Sequence, residues 1–439
     1  MTSINEIIDE VLGRSFEIEC AEISLRGRDD SIGPFFKGPG MISGRASGPF
    51  TVRLHNTMQK DAGEALKMWT DPPLVCCDAR DYFGNEWTGG WLHPMIHGRS
   101  ATRCWVEGRF PQLSVDCRLT SLDQFRDSTV IYYSDELRLP MLEVAEIQRR
   151  RDSEIEQIST EWDRTQFDLE GSRVTVHADA ENERTLVSTT HTEGWGPPYC
   201  EVGLADSIAF VCSAPVQPRV VVRFFNDRAL LFVRETHTET KSGLPRPIAY
   251  RGPRDAAFWN LFAAMLRHCR LQKEWPSTRL SRLFTELILA STGTVHAFVL
   301  SLVLGVEDLV EQIVGKPQQV PEIGSLKEYL EAWQGNAELR ENAVKVISSF
   351  LSRTSTRAHL KTLRDKGVIT SNQLQTWDSL RPSLAHGKTV DYDDERLWEK
   401  RNQLIMMFHR LALRILNYRG EMSDHLTSPP GRFDFKWTE

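Results

Sequence analysis

The chain has 439 residues, of which 40% are hydrophobic and 26% charged, and this composition excludes collagenous, low-complexity and disordered proteins while leaving room for two or three domains. The formal net charge at pH 7 is −7, but residues 271–439 contain 22 lysines and arginines against 21 aspartates and glutamates, so the acidic excess lies in residues 1–270. We therefore expect a polyanion to meet less repulsion at the C-terminal part of the chain.

The first residues and the cysteines indicate the cellular compartment. The N-terminal sequence MTSINE has neither the basic nor the apolar segment of a secretion signal. The cysteines lack C-x-x-C spacing, which is typical of reduced and mostly buried thiols; they are Cys20, Cys76, Cys77, Cys104, Cys117, Cys200, Cys212 and Cys269. We therefore expect a cytoplasmic protein.

Two short motifs bear on cofactors. His93 and His97 are four residues apart, but Pro94 and the absence of an acidic residue between them do not fit a metalloprotease helix. The glycines between Gly38 and Gly44 lack the third position of a dinucleotide-binding loop, so a turn is the better interpretation. We therefore predict neither a metal nor a cofactor.

The first part of the chain has the pattern of β-strands. Residues 172–177 alternate between apolar and polar side chains, and the apolar runs 219–225 and 228–234 predict a hairpin around Asn226-Asp227. Residues 140–162 have apolar positions at helical spacing, which predicts a charged helix there. Trp87, Trp91 and Trp105 are assigned mostly to a β core, and a base-stacking platform is the alternative, which nothing else in the sequence supports. We expect residues 1–255 to form a β-rich sensor or regulatory region of one or two lobes.

The remainder has the pattern of helices. A loop rich in glycine and proline, residues 243–253, is followed by a helix at 256–271, within a connecting segment of residues 256–276. Residues 287–306 carry no formal charge but contain several polar side chains, which favours a buried central helix over a membrane span. Four or five helices over residues 277–420 suit a bundle, followed by a tail of residues 421–439. The predicted fold class is α+β and multidomain: a β-rich N-terminal region followed by an all-α bundle.

The most informative motif is RPSLAH, which spans Arg381 to His386 and is followed by Gly387. Arginine is a permanently charged, forked phosphate donor, and histidine transfers protons near neutral pH, so the pair suits phosphodiester chemistry. Five residues of a straight helix turn through about 500°, which would leave the two side chains roughly 140° apart. We therefore expect the helix that begins near Ser371 to kink or restart at Pro382.

This motif resembles the R-x(4–6)-H signature of the HEPN family, and its context, Trp377, Leu380 and Leu384-Ala385-His386-Gly387, is most similar to the Apea-like subgroup of anti-phage defence proteins. The resemblance covers residues 277–420. It implies a helical bundle that forms a homodimer and cleaves RNA, which can be a transfer RNA, without a metal. Two facing motifs would then share the acid and base roles.

The resemblance also implies a catalytic role for Arg381 and His386 in a toxic ribonuclease that the N-terminal region restrains until a phage-derived trigger arrives. The sequence departs from the family at one position. Pro382 stands where members commonly carry a polar residue after the arginine, and Ser383 is the nearby hydroxyl that would support the site.

A basic cluster precedes the motif. It contains Arg353, Arg357, His359, Lys361, Arg364 and Lys366, against the single acidic Asp365. Such a surface suits contact with an RNA backbone, although a charge run is more often only a solvated helix face. We predict weak RNA binding by the arginines and lysines of this cluster.

A second interpretation needs no catalysis. The C-terminal region would then be a dimerisation or interaction module, and Pro382 would mark a lost activity. Arg381 would be structural in that case, paired with a carboxylate such as Asp378 or Asp391.

Overall fold

The computed structural model describes residues 4–13, 15–27, 33–45, 48–58, 73–97, 103–118, 127–133, 137, 139–143, 149–151, 154–157, 163–179, 184–225, 228–235, 242–252, 254–271, 276–315, 328–351, 356–385 and 396–438. The statements below concern these residues.

One antiparallel sheet of fourteen strands dominates the N-terminal half, in the order β12-β13-β14-β9-β15-β16-β8-β5-β4-β1-β2-β3-β7-β6. Two further hairpins, β10-β11 and β17-β18, form sheets of their own. The strands are β1 (Ser15–Arg26), β2 (Pro34–Arg45), β3 (Phe50–His55), β4 (Val75–Asp81), β5 (Glu86–Leu92), β6 (Met95–His97), β7 (Trp105–Phe110), β8 (Gln112–Arg118), β9 (Ser128–Tyr133), β10 (Arg149–Arg151), β11 (Glu154–Gln157), β12 (Arg164–Leu169), β13 (Ser172–Asp179), β14 (Arg184–Thr190), β15 (Val220–Phe225), β16 (Arg228–Arg234), β17 (Gly420–Asp424) and β18 (Gly431–Phe435).

The helices lie mostly after the large sheet. They are α1 (Ile4–Leu12), α2 (Tyr199–Cys212), α3 (Ala256–Arg270), α4 (Arg279–Ser291), α5 (Val295–Val314), α6 (Ala337–Leu351), α7 (Thr356–Asp365), α8 (Ser371–Ala385) and α9 (Leu397–Ile415). Helix α1 packs on β1, whereas α2 packs on β9, α3 and α4. Helix α5 contacts α4, α7, α8 and α9 and is therefore the central helix of the C-terminal half.

Two hydrophobic cores share the middle strands of the sheet. Every residue of β9 is buried, and its side chains alternate between the cores. Val130 and Tyr132 belong to the core formed with α1 and β1 to β8. Ile131 and Tyr133 belong to the core that contains the helices. Strand β15 divides its side chains in the same way. The sheet therefore has no solvent face here, which is why these strands show continuous apolar sequence.

The predicted fold class is wrong, because the helices do not form a separate all-α bundle. The core that contains Leu302 of α5 and Phe408 of α9 also contains Val174 of β13 and Val187 of β14. Helix and sheet thus bury their apolar faces against each other in one continuous core. The boundaries predicted at 255, 276 and 420 stay a prediction.

The C-terminal hairpin is part of the same core. Met422 of β17, Phe435 of β18 and the following Trp437 are buried within it. Arg432 donates to Asp255 at 2.9 Å, and Asp255 also caps α3 by accepting from the backbone N–H of Phe258. One buried carboxylate therefore joins the last strands to the helix that follows the large sheet.

Several local predictions are confirmed and others are wrong. Strand β13, the β15-β16 hairpin and helix α3 lie where the sequence predicts them. Residues 149–151 and 154–157 pair as strands instead of forming the charged helix. The uncharged stretch 287–306 is divided between α4 and α5, because Thr294 caps α5 by accepting from the N–H of Ala297. No described helix has the length and apolar character that a bilayer crossing requires.

Replacing Phe284 of α4 tests the shared core. Phe284 is 2% exposed, and its ring lies 4.6 Å from that of Phe210 in α2 and 6.1 Å from that of Phe408 in α9. We expect Phe284→Ala to lower the free energy of unfolding by about 3 to 5 kcal/mol, measured by denaturant titration. Leu289→Ala, on the exposed side of the same helix, is the control and should cost below about 1 kcal/mol. A loss at Phe284 no larger than at Leu289 would contradict the shared core.

Candidate functional site

The helix that carries the motif arginine has a well-defined start. Thr370 and Gln373 form a reciprocal capping box, in which the backbone N–H of each donates to the side chain of the other, at 2.9 and 3.3 Å. Trp377 is buried and donates its indole N–H to the carbonyl of Val303 in α5. Helix α8 then continues through Pro382 to Ala385. The predicted restart at Pro382 is therefore wrong, and a kink there stays a prediction.

Arg381 lies on the exposed side of α8, with its side chain 45% exposed. Its Nε donates to Oε1 of Glu307 in α5 at 2.6 Å, and its guanidinium carbon lies 5.5 Å from the centre of the Trp377 ring. The ion pair with Glu307 orients the Arg381 side chain towards α5, and the guanidinium also packs on the Trp377 indole. Because the pair is exposed to water, it contributes below about 1 kcal/mol to stability.

The basic helix α7 lies beside the motif arginine. Leu360 and Leu363 are buried, whereas Arg357, Lys361 and Arg364, at spacings of four and three, share another face of the helix beside the buried one. Nε of Arg357 lies 3.0 Å from the Asp378 carboxylate. Because Asp378 and Arg381 are three residues apart on α8, they lie on the same side of that helix. The basic face of α7 and Arg381 therefore belong to one surface, which we call the arginine surface.

Carboxylates neutralise part of the arginine surface. Arg381 faces Glu307, Arg357 faces Asp378, and Arg364 donates to its neighbour Asp365 at 2.8 Å. Lys361 is exposed and gives the surface its positive excess. Lys366 is exposed as well but follows the end of α7, and its backbone carbonyl accepts from Thr438. The non-catalytic interpretation had suggested that Asp378 pairs with Arg381. In the structure Asp378 pairs with Arg357. Glu307 was missed as a partner, because nothing in the local sequence relates two residues 74 positions apart.

The other predicted site residues lie outside the described part of the chain. They are Arg353, His386 and Asp391, together with the side chain of Ser383, whose backbone is in α8. The approach of Arg381 to His386 thus stays a prediction. Among the described residues, no group of three or more histidine, cysteine, aspartate or glutamate side chains could hold a metal ion.

A pair of buried histidines forms a second titratable cluster. The rings of His409 in α9 and His425 after β17 lie 5.6 Å apart. Both nitrogens of His409 and Nε2 of His425 are buried without a hydrogen-bond partner among the described residues. Burial lowers the pKa of His425 to about 4, although Asp424 and a backbone hydrogen bond with Arg246 oppose this shift. Burial, aided by the nearby His425, lowers the pKa of His409 well below its ordinary value.

Comparison with known proteins leaves the site without a precedent. No family model, no curated protein and no solved structure matches the chain.

The histidine pair predicts a loss of stability in acid. An imidazole with a lowered pKa binds its proton at a higher pH in the unfolded chain than in the folded chain, so protonation favours unfolding. The stability is complete above about pH 6.5 and is lost as the pH falls towards the folded pKa values. We expect the loss between about pH 7 and pH 4, measured by urea titration, to be smaller in His425→Gln than in the wild type by on the order of 2 to 3 kcal/mol. Equal losses in the two proteins would contradict the buried, neutral state of His425.

Proposed function

We propose that the C-terminal part of this protein is a metal-independent endoribonuclease of the HEPN type, in which Arg381 binds the scissile phosphate and His386 transfers protons. The proposal includes a homodimer that brings two motifs together in the cytoplasm. It further includes an N-terminal region that restrains the cleavage until a phage-derived signal arrives. The sequence motif is its origin, and the arginine surface supplies its structural support.

The observation that carries the proposal is the position of Arg381. Its guanidinium is half-exposed near the last turn of α8, five residues before His386, and shares a surface with the cations of α7. An RNA strand that crosses this surface would meet Lys361 and Arg357 before reaching Arg381. The exposed pair with Glu307 is weak enough for a phosphate to replace the carboxylate, because both acceptors suit the same forked donor.

The proposed reaction needs three groups. A base removes the proton from the ribose 2′-hydroxyl, whose oxygen forms a bond to phosphorus while the bond to the 5′-oxygen breaks. An acid gives a proton to that leaving oxygen. Arg381 stabilises the negative charge that develops on the phosphorane, and the two imidazoles of a dimer divide the base and acid roles. The products are a 2′,3′-cyclic phosphate and a 5′-hydroxyl.

One observation favours the non-catalytic alternative. The 2.6 Å contact between Arg381 and Glu307 joins α8 to α5, and this structural role would by itself explain the arginine. In that case the C-terminal part dimerises or binds a partner without cleaving RNA. The two functions differ in what they require of Glu307.

Variants at the two ends of this ion pair separate the functions. We expect Arg381→Ala to lower the rate of RNA cleavage in the presence of a chelator by about 100-fold or more, since it removes the phosphate donor. Glu307→Gln keeps the shape of the partner and leaves Arg381 available, so its cleavage rate should equal or exceed that of the wild type. Equal losses in both variants would assign Arg381 a structural role.

The histidine has its own test in the same assay. His386→Ala should lower the cleavage rate by about 100- to 10,000-fold without changing the melting temperature or the native mass. Wild-type rates in purified His386→Ala would remove His386 from the mechanism.

The native mass tests the composite site. A mass equal to that of one chain in the active protein would exclude a site formed by two chains.

A further inference from the structure

The outward face of strands β3, β6 and β7 carries an exposed tryptophan. The inward positions of these strands, such as Val52, Leu54 and Val106, are fully buried. The outward positions hold Trp105, which is 42% exposed, with its neighbours on the adjoining strands. The prediction that Trp91 and Trp105 belong to the β core is therefore wrong, since both are exposed, whereas Trp87 is buried as expected.

Strand register places polar and cationic side chains on both sides of this indole. His55 of β3 and His97 of β6 are the direct cross-strand partners of Trp105. In the next row, Arg53 of β3 and Met95 of β6 flank Glu107. We call the outward side chains around this indole the tryptophan face. They are Arg53, His55, Met95, His97, Trp105, Glu107 and Arg109.

The contacts within the tryptophan face resemble a stacking platform. The guanidinium carbon of Arg53 lies 4.7 Å from the centre of the Trp105 ring, and the His55 ring lies 5.3 Å away with its edge towards the indole. Nε of Arg53 also contacts the Glu107 carboxylate at 3.0 Å. Flat, π-rich and cationic groups thus lie side by side on a rigid sheet surface.

The charge of the tryptophan face differs from that of its surroundings. Residues 1–270 as a whole are acidic, but the outward positions of these three strands hold Arg53 and Arg109 against the single Glu107. The two arginines lie in successive rows, since Arg53 pairs with Glu107 in the row next to the indole and Arg109 pairs with Thr51 in the row beyond it. The spacing of two residues along a strand, about 7 Å, is close to the distance between successive phosphates of an extended nucleic acid strand.

We propose that the tryptophan face binds single-stranded RNA, with a base stacked beside or on Trp105 and the neighbouring phosphates on Arg53 and Arg109. Aromatic side chains bind bases of any sequence, because every base has a π face, and adjacent cations neutralise the backbone. A neutral sugar chain would also stack on the indole but would supply no anion to either arginine, of which only Arg53 has a carboxylate, Glu107, in its own row. The choice of RNA over DNA rests on the proposed function, whereas the binding itself needs neither Arg381 nor His386.

The test measures binding without cleavage. The full-length protein is titrated into a fluorescein-labelled 2′-O-methyl oligouridine, which lacks the hydroxyl needed for cleavage, and anisotropy is recorded. We expect saturable binding that Trp105→Ala weakens by about 5- to 150-fold, the range for one base–aromatic stack. Trp105→Phe keeps a ring and should retain most of the affinity. Arg53→Gln should weaken binding and reduce the dependence of log affinity on log salt by about one.

Trp398 provides a matched control. It is an exposed tryptophan of α9 with the guanidinium carbon of Arg401 4.5 Å from its ring centre, so it reproduces the indole and arginine pair on another surface. Trp398→Ala should bind oligouridine as the wild type does.

Three outcomes would overturn the proposal. They are the absence of saturable binding, an unchanged affinity in Trp105→Ala, and binding of oligothymidine DNA or maltoheptaose in place of oligouridine. None of these outcomes changes the expected cleavage results for Arg381 and His386.

Discussion

Strands β9 and β15 are buried on both faces, and this double burial holds the two halves of the molecule together. One face of each strand packs into the core of β1 to β8, and the other packs into the core that also contains α4, α5 and α9. Because the helices cover the second face of these strands, the core that contains the helices also contains part of the sheet. The core of β1 to β8 is formed by the N-terminal half alone. Phe210, Phe284 and Phe408 belong to the core that also contains residues of the sheet, of α8 and of α9. A substitution at their contact is therefore expected to destabilise all of these elements together.

The sequence predicts elements with a clear period and fails where burial comes from distant segments. The alternation of β13 and the paired runs of β15 and β16 are local signals, and both are confirmed. The apolar stretch 287–306 contains a break at Thr292-Gly293-Thr294 that a helical cap, not hydropathy, determines. The separate bundle was a wrong prediction because the partner of an apolar helix face can be an element outside the bundle, here α2, which packs on both α4 and β9, and helical spacing does not identify that partner.

The candidate site was predictable in its residue types but not in its electrostatics. Arg381, Arg357 and Arg364 are exposed, as the sequence suggests for phosphate-binding cations, yet each faces a carboxylate. These pairs are solvated and weak, so the arginine surface would exchange carboxylates for phosphates when RNA binds. The tryptophan face would hold a second part of the strand on the sheet. Such a division would place recognition on the rigid β region and cleavage on the helices.

The chemistry of the RNA ends tests the proposed cleavage most directly. Purified protein is incubated with a single-stranded RNA in a chelator, and the fragments are analysed by mass spectrometry. Attack by the 2′-hydroxyl predicts 2′,3′-cyclic phosphates on the upstream fragments and 5′-hydroxyls on the downstream fragments. Fragments with 5′-phosphates would contradict a reaction driven by Arg381 and His386, as would RNA that stays intact in cells whose growth the same protein arrests.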